Sequence, residues 1–218
     1  MLVLGLDTAT PASTVAVAEV TAGGLRGLAE RRTVDPRAHG ELLAPQIHAT
    51  LVEAGAGPAD LAAIVAGVGP GPFTGLRVGL ATAASMGQAL GVPTYGVCSL
   101  DGLGLAAGPG RVLVATDARR REVYHATYLD GRRVTEPQVA RPADVTVEAD
   151  RAVGEGALKY SEVLGLPIDE HVLYPPGVAL ISLAADRIRA HAPGDRLTPL
   201  YLRRPDAVES AGRKHVLQ

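Results

Sequence analysis

The 218-residue chain has no tryptophan, one phenylalanine, one cysteine and two methionines. With aromatic residues at 3%, its interior must be filled largely by alanine and valine, which pack closely but bury little area each. The lone cysteine, Cys98, excludes an intrachain disulfide framework and a cysteine zinc cage. The opening MLVLGLDTATP carries no basic leader and meets Asp7 too early for a signal peptide. Nor does any apolar run reach the roughly 18 residues of a membrane span, so a cytoplasmic protein is expected. Charge of one sign is also missing: the formal net charge is -2, and the cations are scattered among acids. The chain as a whole is therefore not an electrostatic RNA binder. What it does have is 47% apolar residues, enough for a sizeable core.

Residues 2–6 form an apolar run ending at Asp7, as a buried first strand does. Thr14–Val20 alternates, Gly23-Gly24 breaks the chain and Leu25–Val34 resumes, which predicts an antiparallel meander of three strands. His39–Ala54 carries Leu43, Ile47, Leu51 and Ala54 at helical spacing, with Pro45 placed to start or bend the helix. Residues 62–68 read as a buried strand running into Gly-Pro-Gly-Pro; a helix over Phe73–Leu90 and a strand over Val92–Cys98 follow. Beyond Ser99 the pattern partly restarts, with a helix over Leu100–Ala107 and a strand over Arg111–Thr116. A hairpin of Glu122–Leu129 with Arg132–Val139 turns at Asp130-Gly131. Ala152–Gly154 reads as a short strand, and Gly156–Leu164 and Val178–Ala190 as helices. The residues after Arg204 lose periodicity and are expected to fray.

Two turns offer chemistry. Asp7-Thr8-Ala9-Thr10 can hold a phosphate on its backbone N–H groups while the acid positions a metal or water, or it can be an Asx-type turn bonded to itself. The stretch from Gly69 to Arg77 opens a helix, where an anion is favoured, yet Pro70 and Pro72 remove donors and it has neither P-loop nor dinucleotide spacing. Its other reading is a rigid strand-to-helix turn. His39 and His48 stand nine positions apart, on opposite faces of one helix, so no joint metal site is expected. No G-x-S-x-G elbow marks a hydrolase. Arg119-Arg120-Arg121 reads either as a phosphate contact or as a solvated hairpin edge.

The segments LGLDTAT, HGELLAPQIHATL (39–51), GVGPGPFTGLRVGLATAASMGQAL (67–90) and PLYLRRPDA (199–207) resemble the TsaB/YeaZ family. Pro72 stands where serine is more usual, which removes an N–H and a hydroxyl from the anion turn. The resemblance implies an α/β actin/sugar-kinase-like (ASKHA) fold of two related lobes, the second reduced. It divides the chain into a first lobe over 1–100 and a smaller one over 101–218, the last residues frayed or packed back on the first. It further implies a non-catalytic partner of the threonylcarbamoyl transferase TsaD, assembled with the ATPase TsaE, acting on tRNA beside the anticodon. TsaD's helical histidine pair has no counterpart, because Leu43 stands at the fourth position after His39.

Within that resemblance Asp7, Thr8 and Thr10 are expected as a remnant phosphate turn. No cofactor is required by the chain, though ATP or ADP could sit at the complex interface. His39, Leu43, Ile47, Phe73, Leu76, Gly75, Gly79 and Ala83 are expected to contact TsaD, or a second copy in a homodimer. The small residues Gly75, Gly79, Ala83 and Gly87 make a smooth stripe that fits either a partner helix or the chain's own sheet. An ATP-dependent small-molecule kinase of the same superfamily is the alternative. It needs Asp7 in one lobe and Asp117 in the other to serve the same ligand.

Overall fold

The apolar run at the N-terminus becomes β1 (Leu2–Asp7), which lies in the middle of a five-stranded sheet and is apolar because both its faces are covered. The structure, a computed structural model, describes residues 1–203; the expected fraying after Arg204 lies outside the described residues. The meander forms as β1, β2 (Ala12–Thr21) and β3 (Gly24–Val34), with Leu4 opposite Val17 and Val17 opposite Ala29. On the other side β1 pairs in parallel with β4 (Leu61–Gly67), and β4 with β5 (Thr94–Val97), giving the order β3-β2-β1-β4-β5.

Alternation along β1 sends Leu4 and Leu6 to one face and Val3 to the other. On the Leu4 face lie α1 (His39–Glu53) and α2 (Phe73–Leu90), which contribute Leu43, Ile47, Leu51, Leu76, Leu80 and Ala83. The helix α1 starts at His39, not at Pro45; Pro45 lies inside it and is exposed, as is Glu41 one turn earlier. There the carbonyl that loses its partner can be hydrated.

The second sheet has β6 (Arg111–Asp117) at its centre, flanked by β7 (Val123–Leu129) and β10 (Arg151–Val153). Its hairpin partner is not the continuous strand expected over 132–139. It splits into β8 (Arg132–Arg133) and β9 (Gln138–Ala140), both paired with β7, with Pro137 just before the second piece. Between them Thr135 Oγ1 takes the Thr127 N–H at 2.9 Å. The helix expected over 156–164 is likewise broken at Tyr160, into α4 (Glu155–Lys159) and α5 (Ser161–Leu164).

Two helices join the sheets. From the second sheet, α3 (Ser99–Ala107) buries Leu100 and Leu103 against Val112, Val114 and Tyr128. From the far end of the chain, α6 (Gly177–Arg189) buries Leu180, Ile181 and Ala184 against Val3, Ala16 and Val65 of the first sheet. A Cβ on Gly102 of α3 would stand 2.7 Å from Leu180 of α6, so the helices touch backbone to side chain. The segment 101–218 expected as one lobe is thus divided. Residues near 100–175 build the second sheet and its helices, while α6 returns to the first. Leu200 N donates to Val68 O at 2.7 Å, carrying Leu200 back there too. Among the described residues no helix is long and apolar enough to cross a membrane.

Candidate functional site: the cleft between the sheets

Asp7 ends β1, and its carboxylate is buried and bonded at both oxygens. Oδ1 accepts from Ala9 N at 2.9 Å, and Oδ2 accepts from Ser99 Oγ at 2.5 Å. Ser99 Oγ in turn accepts from Gly69 N at 3.1 Å, while Ser99 N donates to Gly69 O at 2.8 Å. Glycine at 67 makes this possible, because a Cβ there would stand 1.8 Å from Asp7 Oδ2. With the side chain 1% exposed, burial pushes its pKa up to about 6, against the lowering effect of the Ser99 and Ala9 bonds.

Of the expected phosphate turn, Asp7 is buried and is not among the described residues that line the cleft. Thr8 and Thr10 do line it. Thr8 Oγ1, however, donates to Gly75 O at 2.7 Å and accepts from Gly79 N at 3.0 Å, which staples α2 to the turn. Thr10 Oγ1 accepts from Ala12 N at 3.3 Å. Of the two readings of DTAT, the self-bonded turn describes the geometry. The Gly69–Arg77 loop is pressed onto the same turn: a Cβ on Gly71 would meet Ala9 O at 2.3 Å.

The cleft has a volume of about 280 Å³. From the first sheet's side Thr10, His39, Phe73 and Thr74 face it; from the second come Asp117 and Arg119. His39 is 6% exposed, and its Nδ1 shares a hydrogen bond of 2.8 Å with Ser13 Oγ. Burial lowers its pKa, and the Asp35 carboxylate opposes the shift. His48 is exposed on the opposite face of α1. Asp117 Oδ2 pairs with Lys159 Nζ at 2.9 Å, and Oδ1 takes Arg119 N at 3.3 Å. Asp117 N donates to Glu155 Oε1 at 3.0 Å, while Glu155 Oε2 is enclosed without a hydrogen-bond partner among the described residues and burial pushes that carboxyl up to about 7.

Between β6 and β7 the backbone does something the sequence did not announce. Arg119, Arg120 and Arg121 all have positive φ, at 62°, 52° and 62°. Left-handed geometry costs a non-glycine residue roughly 1 kcal/mol each. The turn is closed by Ala118 N to Glu122 O at 2.9 Å and Glu122 N to Arg119 O at 3.0 Å. Arg203 braces it from outside, donating to Ala118 O at 3.0 Å and pairing with Glu122.

Most residues expected at a partner surface are turned inward. Leu43, Ile47, Leu76 and Ala83 lie in the core with Leu4 and Leu6, and a Cβ on Gly79 would stand 2.4 Å from Thr8 Oγ1. The small-residue stripe faces the chain's own sheet. Gly75 is half-buried beside His39, and of the expected set only Phe73 is well exposed, at 46%. Its ring stacks on Tyr201 at 5.4 Å and carries the Arg77 guanidinium at 3.9 Å. The outward faces of the two helices present Ala44, Pro45, His48 and Val52 on α1, and Ala81, Ala84, Ser85 and Gln88 on α2.

Two sheets with α3 and α6 meeting between them and a cleft at their edge define an actin/sugar-kinase-like α/β protein. Residues 33–200 match the family model of TsaD, tRNA N6-adenosine threonylcarbamoyltransferase. The structure of YeaZ from Pseudomonas aeruginosa superimposes with a TM-score of 0.76 at 31% identity, covering 92% of this chain and 99% of that one. The tRNA threonylcarbamoyladenosine biosynthesis protein TsaB of Escherichia coli (strain K12) is 36% identical over 132 residues, 59% of this chain and 55% of its own length. A Mycobacterium leprae (strain TN) protein is 46% identical over 206 residues; these are 94% of this chain but 56% of that protein. The chain spans little more than half the length of these two relatives. It belongs to the TsaB/YeaZ family.

Proposed function

We propose that this chain is the non-catalytic partner of a TsaD-type transferase, needed to form threonylcarbamoyladenosine on tRNA in the cytoplasm. The observation that carries the reading is the match to YeaZ over 99% of that chain, joined to the relative named for this biosynthesis. The site supports a supporting role. The acid that a first-lobe phosphate turn would need, Asp7, is buried, spent on Ser99 and Ala9, and not among the described residues lining the cleft. That burial also weighs against the kinase alternative.

The partner surface in this reading is the outward face of α1 and α2. Ala44, Pro45, Ala81 and Ala84 leave a low, mostly uncharged surface onto which a second helical pair can settle. Phe73 lies at its end. In the absence of TsaD the same face joins two copies of the chain, and TsaE and a nucleotide enter only with the full complex. Single-turnover transfer of threonylcarbamoyl from its adenylate to tRNA tests this, with TsaD alone, this chain alone and both, each with and without TsaE and ATP. Transfer only in the mixtures is the expected result. Transfer by this chain alone would overturn it.

A further inference from the structure

We infer that Arg119, Arg121 and Arg141 form a contact for the phosphodiester backbone of RNA at the second-sheet lip of the cleft; the inference rests on the tRNA reading above. The first support is backbone geometry. A tight turn between twisted antiparallel strands favours positive φ, and glycine, asparagine or aspartate hold it with little strain. Here arginines occupy left-handed positions in succession. Residues so costly to the turn are explained by what their side chains do.

Register gives the second support. Ala140, the last residue of β9, pairs with Val123, so Arg141 follows immediately beyond the ladder, at the end of β7 where Glu122 and the arginine turn lie. Cations from two separate connections thus gather on one edge. The third support is charge bookkeeping. Asp117 is engaged by Lys159 and Arg119 N, and Glu122 by Arg203. Exposed Asp144 follows Arg141 three positions on. Among the described residues Arg119, Arg121 and Arg141 form no ion pair, and all are exposed.

The turn is also held still. Arg203 braces Ala118 O, and the two cross-turn backbone bonds fix the loop from within. Guanidinium forks on a fixed loop match phosphate oxygens well. Because Arg119 also lines the cleft, a strand crossing this lip is led to its mouth. With a net charge of -2 the chain supplies only a few phosphate contacts, and the partner subunit supplies the rest.

The test uses the complex of this chain with the transferase subunit and measures tRNA affinity across a salt series. Replacing all three (Arg119→Gln, Arg121→Gln, Arg141→Gln) should leave assembly on gel filtration intact, raise the tRNA Kd about tenfold near 0.1 M salt and flatten the log–log salt slope by about 2. A triple lysine variant should keep most of the slope. Unchanged affinity and slope in an assembled glutamine variant overturns the inference. So does loss of assembly, which would make the turn a protein contact, or an equal loss in the lysine variant, which would make it structural. If the unaltered chain fails to assemble, the functional reading falls alone, and the same titration on the isolated chain still decides the arginine contact.

Discussion

Ser99 Oγ approaches Asp7 Oδ2 to 2.5 Å across 92 residues of sequence, and through this bond the first strand of one sheet is tied to the first turn of the helix that leads into the other. The acid at the end of β1 is a structural joint, held by a hydroxyl and by the missing side chain of Gly67.

Asp7 should make the fold less stable as pH rises. Its folded pKa, about 6, lies above the unfolded value of 3.8, so the folded chain holds this proton more tightly. The resulting stabilisation is complete below the unfolded value and is lost as pH climbs through 6. Asp7→Asn keeps the shape without the charge. Thermal unfolding should show it more stable than the parent at pH 8, by on the order of 1–3 kcal/mol, with the difference closing towards pH 4. A constant difference at every pH would refute the assignment.

His125 should act in the opposite sense. It is 7% exposed on β7, and neither ring nitrogen has a partner among the described residues. Burial lowers its pKa, so the unfolded chain takes the proton first and stability is lost as pH falls through the unfolded value of 6.5. His125→Leu should remove that acid sensitivity and stabilise the fold by roughly 1–2 kcal/mol at pH 5.5. Denaturant melts of both proteins at pH 5.5 and 8 check it; parallel pH profiles would count against it.

The two sides of α2 should respond differently. Gly79→Ala puts a methyl group against Thr8 Oγ1 and should cost about 1–3 kcal/mol of stability. Ala84→Glu, on the exposed side, should leave the melting temperature within a degree or two yet abolish co-purification with TsaD. Retained complex in a folded Ala84→Glu protein would move the partner surface elsewhere.

Local structure was largely readable in the sequence, and long-range placement was not. The spacing of Leu43, Ile47 and Leu51 fixes α1 as a helix and gives its buried side, but spacing cannot tell whether a smooth stripe such as Gly75–Gly79–Ala83 serves a partner or the chain's own sheet. Local contacts decide the first question; the second depends on Thr8, some 70 positions away. The break in the second hairpin had a visible sign in Pro137. Asp7 was found as a candidate from its position at a strand end, but its true partner, Ser99, and the space left by Gly67 are distant in sequence. The left-handed arginines had only a negative sign, a hairpin turn without glycine, asparagine or aspartate at its central residues.

The return of α6 to the first sheet has a consequence for how the chain is made. Val3, Ala16, Ala18 and Val65 are ready to be covered once the first strands have left the ribosome, but their cover, Leu180 and Ile181, is synthesised more than a hundred residues later. Throughout that interval one whole face of the nascent sheet is bare and oily, and it is there that a chaperone would find its grip.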